Sequence, residues 1–286
     1  MRDLKDKVAV VTGGGSGIGL ALAHAFVAEG MAVIIADRDT TAAEHAASAI
    51  ARAGGRALSV TTDVTRPAEV ESLAARAYGE FGAVHLLCNN AGVLGAILPT
   101  WQQPLQNWDW VMGVNFRGVV HGIHCFLPRM LEQGTEGYVL NTASIAGMIT
   151  GPFFSPYNVS KHAVVALSEC LHHELRALKA SIEVGVLCPG WVDTGLASFE
   201  AKVPPELRAI NTGLRQDAAV AERDKSVRAM VSSSVPPETI ATIAVEAIRE
   251  GRFYIFPHPE RKWDVEARMQ DILDEAVPRF GIPKPK

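Results

Sequence analysis

The stretch Lys7–Glu29, KVAVVTGGGSGIGLALAHAFVAE, constrains this chain more than any other. Lys7–Thr12 is a short apolar run rich in β-branched residues, with no polar alternation. That is the pattern of a strand buried on both faces of a parallel sheet. Gly13-Gly14-Gly15-Ser16-Gly17-Ile18-Gly19 follows, and an Ala/Leu-rich helical stretch runs from Leu20 to Glu29. Strand, glycine turn and helix together make a phosphate cradle. The glycines let backbone approach closely, and the helix N-terminus offers unpaired N–H groups and the positive end of a dipole. The spacing is G-x-x-x-G-x-G rather than G-x-G-x-x-G.

The same alternation continues. Ala32–Ala36 reads as a second strand and Asp37 ends it. An acid about 20 residues beyond the glycine turn can accept hydrogen bonds from adenosine ribose hydroxyls and would repel a 2′-phosphate, which favours NAD over NADP. Arg38 follows at once. It could pair with such a phosphate, or lie as a solvated charge stacked on the adenine. Helices are expected over Thr40–Ala53, Pro67–Phe81, about Trp108–Met130, Tyr157 to about Leu178, Pro237–Glu250 and Lys262–Glu275. Strands are expected at Ala57–Thr61, Val84–Asn89, Gly137–Asn141, Ile182–Cys188 and Arg252–Phe256. This predicts an α/β chain with a doubly wound parallel sheet, and a ligand at the carboxyl ends of the strands. The 286 residues are expected to form one domain. Residues 196–236 break the rhythm as a charged, proline-bearing insertion expected to act as a lid or binding wall. Residues 257–286 hold the last helix and a tail.

The chemistry concentrates in Asn141–Lys161, NTASIAGMITGPFFSPYNVSK. Tyr157 and Lys161 are spaced i, i+4 and share one helix face. A phenol beside an ammonium loses its proton more readily and can serve as a base. Ser144, after a β-rich run, could hold a substrate oxygen while Tyr157 moves its proton. The three suit one alcohol or carbonyl group with a hydride carrier beside it. Tyr-x-x-x-Lys alone is frequent by chance, so its weight comes from the rest of the chain. Asn115, midway along an apolar helix, is either a structural Asn bonding backbone or the holder of a water near the lysine. The residue type leaves both open.

Other classes of function are disfavoured. Net charge is −4 with no basic block, which argues against a nucleic-acid surface or a polybasic membrane anchor. Apolar runs fall short of the ~20 residues that span a bilayer. The N-terminus runs straight into the first strand without a signal pattern, so a cytoplasmic location is expected. Cys88, Cys125, Cys170 and Cys188 are scattered in apolar segments and are expected to be reduced, buried thiols. His172 and His173 lack partners at ligand spacing, so no metal site is expected.

Taken together, Thr12-Gly13-x-x-x-Gly17-Ile18-Gly19, Asp63-Val64, Asn89-Asn90-Ala91-Gly92, Asn115, Ser144, Tyr157-x-x-x-Lys161 and Pro189-Gly190-x-Val192-x-Thr194 resemble the short-chain dehydrogenase/reductase family from Lys7 to about Thr194. The resemblance implies a Rossmann-type sheet of seven strands with helices on both faces, and a nicotinamide cofactor. It implies a catalytic tetrad of Asn115, Ser144, Tyr157 and Lys161. For the cofactor it implies Gly13, Ser16, Gly17, Ile18 and Gly19 at the phosphates, and Asp37 and Arg38 at the adenosine ribose. Asp63 and Val64 would bracket the adenine, and Asn90, Ala91 and Gly92 would pass behind the ribose. Tyr157 and Lys161 would approach the nicotinamide ribose. Pro189, Gly190, Val192 and Thr194 would hold carboxamide and pyrophosphate. The ending Gly251–Glu260 resembles a branch that includes bacterial Cα-dehydrogenases, which oxidise benzylic alcohols of lignin-derived dimers. That branch implies a homodimer through the Asn115 and Tyr157 helices, with a homotetramer as the family's other habit.

The expected activity is NAD-dependent interconversion of a secondary alcohol and a ketone. The substrate is expected to be bulky and apolar or aromatic, because Leu94, Ile97, Trp101, Ile145, Phe153, Phe154, Trp191, Leu196 and Phe199 supply an apolar wall beside Ser144. Some of these would face substrate and others pack the core. The alternative is a non-catalytic NAD(P)-binding regulator on the same fold. The intact Ser144, Tyr157 and Lys161 argue against it. An epimerase or dehydratase would bring a different glycine spacing and a larger C-terminal domain.

Overall fold

The protein is described from a computed structural model that covers residues 1–194 and 234–280, with positions 203, 207, 218, 220–222, 225, 227 and 229 between them. Seven strands form one parallel sheet: β1 (Val8–Thr12), β2 (Ala32–Asp37), β3 (Arg56–Thr61), β4 (Leu86–Asn89), β5 (Gly137–Thr142), β6 (Ile182–Leu187) and β7 (Tyr254–Ile255). Their order is β3-β2-β1-β4-β5-β6-β7. The winding reverses between β1 and β4, and this switch point opens a crevice beyond the strand ends.

The α-helices that lie wholly within the described residues are α1 (Gly17–Ala28), α2 (Thr40–Arg52), α3 (Pro67–Phe81), α4 (Leu105–Met112), α5 (Gly118–Glu132), α6 (Ser155–Ala177), α7 (Pro237–Glu250) and α8 (Lys262–Leu273). Every residue of β1 is buried, and its side chains alternate between two cores. Ala9 and Val11 pack with Leu22 and Phe26 of α1, Ile50 of α2 and Ile240 and Ile248 of α7. Val8 and Val10 pack on the other face with Val70 and Leu73 of α3, Phe126 of α5 and Leu171 of α6. Period-two alternation between two apolar layers explains why the strand reads as one continuous apolar run. Phe26 and Phe126 are fully buried, and each contributes about 1.5–3 kcal/mol through removal from water.

The expected helix over Trp108–Met130 is longer and interrupted. It begins at Leu105 behind Pro104, whose carbonyl accepts from Asn107 and Trp108 N–H. It passes through a π turn at Gly113–Arg117 and ends at Glu132. The last strand is shorter than Arg252–Phe256, because only Tyr254 and Ile255 pair with β6. Two thiols depart from the expectation: Cys88 and Cys188 are buried, but Cys125 is half-buried and Cys170 exposed. Among the described residues no helix is long and apolar enough to cross a membrane.

The insertion at 196–236 lies largely outside the described residues. Four of its described side chains are buried against the loop that follows β4. Val203 and Leu207 pack with Val93, Trp110 and Val111; Val220 packs with Ala96 and Leu98; Val227 packs with Leu94 and Ile97.

Candidate active site

The expected site residues converge because nearly all follow the carboxyl end of a strand. Gly13 follows β1, Asp37 ends β2, and Asp63, Asn90, Ser144 and Pro189 come within two residues of β3, β4, β5 and β6. All six line one cleft of about 950 Å³.

At its floor the glycine turn is pressed against its neighbours. Gly13 has φ of +64°, and a Cβ there would lie 2.9 Å from Ala91 Cα. A Cβ on Gly19 would lie 2.2 Å from the Gly13 carbonyl oxygen and 2.6 Å from Asn90 Nδ2. No side chain fits, so the N-terminus of α1 is left open to a diphosphate. Ser16, Gly17 and Ile18 line the cleft with it. Asp37 braces this turn as well as facing the cleft: Oδ2 accepts from Gly15 N–H and Oδ1 from Asp39 N–H, both at 3.0 Å. Arg38 lines the cleft beside it. Asp63 holds its own turn, accepting from Thr65 N–H at 2.9 Å and Thr65 Oγ1 at 2.8 Å. Val64 is buried, and its carbonyl bonds His121 Nδ1 at 2.8 Å.

Asn90 is a knot between three strands. Its Nδ2 donates to the Thr12 carbonyl at 3.0 Å, and its Oδ1 accepts from Thr142 Oγ1 at 3.3 Å. Thr12 Oγ1 accepts from Asn90 and Ala91 N–H at 2.9 and 3.1 Å. Thr12 thus fixes the segment through Gly92 that faces Lys161, since a Cβ on Gly92 would sit 3.5 Å from Lys161 Nζ.

Tyr157 and Lys161 lie one turn apart on α6, as their spacing requires. Pro156 in the first turn starts the helix, and the preceding Phe153 takes a left-handed φ of 73°. Lys161 is buried and donates from Nζ to the Thr142 carbonyl at 2.8 Å. Burial holds its ammonium down at about 8. Tyr157 is partly open to the cleft, yet its hydroxyl lies deep. Burial pushes its pKa up, and a hydrogen bond with Ser144 acts the other way. The expected lowering by Lys161 is therefore not what dominates here, because the ammonium bonds a carbonyl and sits 5.7 Å from the phenol ring centroid. Ser144 Oγ accepts from Ala146 N–H at 3.1 Å and donates to the Pro189 carbonyl at 3.3 Å.

Asn115 sits in the π turn, fully buried. Its Oδ1 accepts from Val93 N–H at 2.8 Å, and its Nδ2 donates to the Val93 carbonyl at 2.9 Å and to Ser160 Oγ at 3.0 Å. The side chain clamps backbone, so any water held here would rest on the main chain that a π turn loosens.

The apolar wall is partly as expected. Leu94, Ile145, Phe154 and Trp191 line the cleft, and Phe154 meets Trp191 edge to face at 6.4 Å. Phe153 is not among the lining residues; its left-handed backbone turns it into a cluster with Leu94, Ile97 and Val227. Trp101 is 84% exposed on the surface and is no part of the wall. Leu196 and Phe199 lie outside the described residues. Pro189, Gly190, Val192 and Thr194 line the same cleft.

Among the lining residues not foreseen are four from the chain beyond β7: His258, Glu260, Arg261 and Phe280. His258 follows β7, and its Nδ1 accepts from Gly190 N–H at 3.0 Å. The rule that places ligands beyond strand ends also points to this residue.

Comparison with known proteins agrees with this geometry. Residues 7–203 match the family model described as short chain dehydrogenase. A 1-deoxy-11-beta-hydroxypentalenate dehydrogenase of Streptomyces exfoliatus is 35% identical, covering 99% of this chain and 92% of its own. A C alpha-dehydrogenase of Sphingobium sp. is 27% identical over 99% of this chain and 91% of its own. The crystal structure of a short chain dehydrogenase/reductase from Burkholderia phymatum in complex with NAD is 39% identical. It superposes with a TM-score of 0.92 over 99% of this chain and all of that one.

Proposed function

Because the chain belongs to the short-chain dehydrogenase/reductase family of NAD(P)-dependent oxidoreductases, we propose that it interconverts a bulky apolar or aromatic secondary alcohol and its ketone, with NAD preferred. The observation that carries this reading is the grouping of Ser144, Tyr157 and Lys161 beside the apolar Leu94, Ile145, Phe154 and Trp191 in one cleft. Few polar anchors in an apolar pocket suit a ligand with one reacting oxygen and a large hydrocarbon body. The relatives named 1-deoxy-11-beta-hydroxypentalenate dehydrogenase and C alpha-dehydrogenase support the same class.

The roles follow from position. In oxidation, Tyr157 as the phenolate accepts the alcohol proton at its oxygen while Ser144 Oγ holds the substrate oxygen. In reduction, Tyr157 returns that proton. Burial, which raises its pKa, favours the acid role, and the hydrogen bond with Ser144 favours the base role. A nicotinamide cofactor, held at its phosphates by the Gly13–Gly19 turn, would supply the hydride acceptor or donor. Lys161 provides a buried positive charge beside the proton path, and Asn115 holds the Val93 backbone that borders it. A second copy of the chain packing through α4, α5 and α6 would cover the exposed Leu105, Val120, Leu131 and Val159. The test is nicotinamide reduction across alcohols from small aliphatic to polycyclic, with NAD and NADP assayed separately. No turnover on any secondary alcohol, despite cofactor binding, would remove this reading.

Two further outcomes are expected. Asp37→Ala should shift the NAD/NADP ratio of kcat/KM toward NADP, and should also weaken NAD by roughly tenfold, about 1.4 kcal/mol. The second effect arises because the Gly15 and Asp39 N–H groups lose their acceptor. If the wild type already prefers NADP, Arg38 governs the site instead. Lys161→Met should abolish turnover yet melt within about 4 °C of wild type near neutral pH. The folded value of about 8 lies below the ~10.4 of free lysine, so the unfolded chain holds this proton more tightly. The penalty on folding is full below about 8 and fades as pH rises toward the unfolded value. Removing the charge lifts this penalty and offsets the lost bond to Thr142. Differential scanning calorimetry beside an activity assay checks it, and a fall well beyond that range would mean that Lys161 is mainly structural.

A further inference from the structure

The chain beyond α8 is folded back by a built turn. Glu275 takes a left-handed φ of 52°, and Ala276 N–H reaches the Asp271 carbonyl at 2.8 Å. This pattern satisfies the last carbonyls of a helix and reverses the chain. Arg279 then meets Asp271 of the same helix. Its Nε donates to Oδ1 at 2.8 Å and its backbone N–H to Oδ2 at 3.2 Å. Asp271 is 5% exposed, and a buried carboxylate needs such a partner.

Phe280 comes next. It lines the cleft, and a Cβ on Gly151 would stand 3.1 Å from its Cε2, so the ring lies over the Gly151 backbone. Yet Phe280 is 69% exposed. A scattered surface aromatic needs no explanation. This one is held at the mouth of the cleft by an ion pair whose carboxylate is buried, with most of its ring free to contact an occupant.

We propose that Phe280 determines specificity at the substrate end of the cleft, and that Asp271 and Arg279 form the clasp that positions it. The ring covers the apolar body of a bulky substrate and does not touch a small one. This rests on reading the cleft as an alcohol/ketone site.

The test compares benzhydrol and isopropanol with NAD. Phe280→Ala should raise KM for benzhydrol about tenfold, while kcat stays within about twofold and isopropanol kinetics are unchanged. Phe280→Leu should recover part of the loss. Arg279→Ala should reproduce it, and adding Phe280→Ala to that variant should do nothing more, because both remove the same contact. A second readout needs no turnover. Amide hydrogen exchange at residues 149–151 should accelerate in both variants, while residues 13–19 stay unchanged. Equal KM changes for both alcohols, or unchanged exchange at 149–151, would overturn the proposal. If the wild type oxidises no secondary alcohol of the wider panel, the substrate reading fails by itself, and the exchange data alone uphold or overturn the clasp.

Discussion

Tyr157→Phe is expected to lower kcat/KM by about 10²–10⁴-fold, a loss of about 3–5 kcal/mol of transition-state stabilisation. The substitution deletes one oxygen from a ring that otherwise keeps its place on α6. Lys161 keeps its bond to the Thr142 carbonyl, and Ser144 keeps its bonds at Ala146 and Pro189. Cofactor affinity, read by NADH fluorescence titration, should therefore stay within about threefold of wild type, about 0.7 kcal/mol. Loss of turnover with retained binding isolates the proton step, since an interaction made only in the transition state moves kcat and kcat/KM together. Turnover near the wild-type level would mean that another group carries the proton, and the assignment of Ser144 and Lys161 around Tyr157 would fall with it.

Gly19→Ala is expected to damage both binding and fold. The new Cβ would need to occupy space 2.2 Å from the Gly13 carbonyl oxygen, which is backbone and cannot swing aside. Overpacking of this kind costs about 1–3 kcal/mol, a fall in Tm of roughly 3–10 °C for a chain of this size. The distorted turn should also raise the Kd for NADH at least tenfold, about 1.4 kcal/mol. Gly79→Ala is the contrast. Gly79 lies in α3 with nothing within 4 Å of an added Cβ. Ala there should leave binding alone and stabilise by about 0.5–1 kcal/mol, because Gly is costly inside a helix. Calorimetry and fluorescence titration on the pair decide the matter. Normal NADH affinity in Gly19→Ala would show that the turn does not bear on the phosphates.

Most of the scaffold was legible because local pattern and tertiary environment agree. Lys7–Thr12 is apolar throughout since both faces of β1 are covered, and α3 and α7 start at prolines where the sequence marks them. Tyr157 and Lys161 could be paired from spacing alone because a helix fixes which residues share a face. What could not be read depends on where chains meet in space. The Asn115 clamp needs the Val93 backbone and Ser160, which no periodicity relates to it. Phe153 looked like a wall residue, but its left-handed φ turns it away. Trp101 was misjudged since an aromatic residue in a loop carries no sign of which side of the loop it takes. The upward shift of Tyr157 reflects burial, which spacing to a lysine does not reveal. His258 and Phe280 were missed because they come after the motifs end.

The bond between Gly190 and His258 spans 68 residues of chain. Translation at about 5–20 residues per second leaves Gly190 waiting roughly 3–14 s for its acceptor. In that interval Thr12 and Asn90 have both been made, while the segment after β6 still lacks its support. The segment after β6 therefore gains this support only once the last strand has joined the sheet edge.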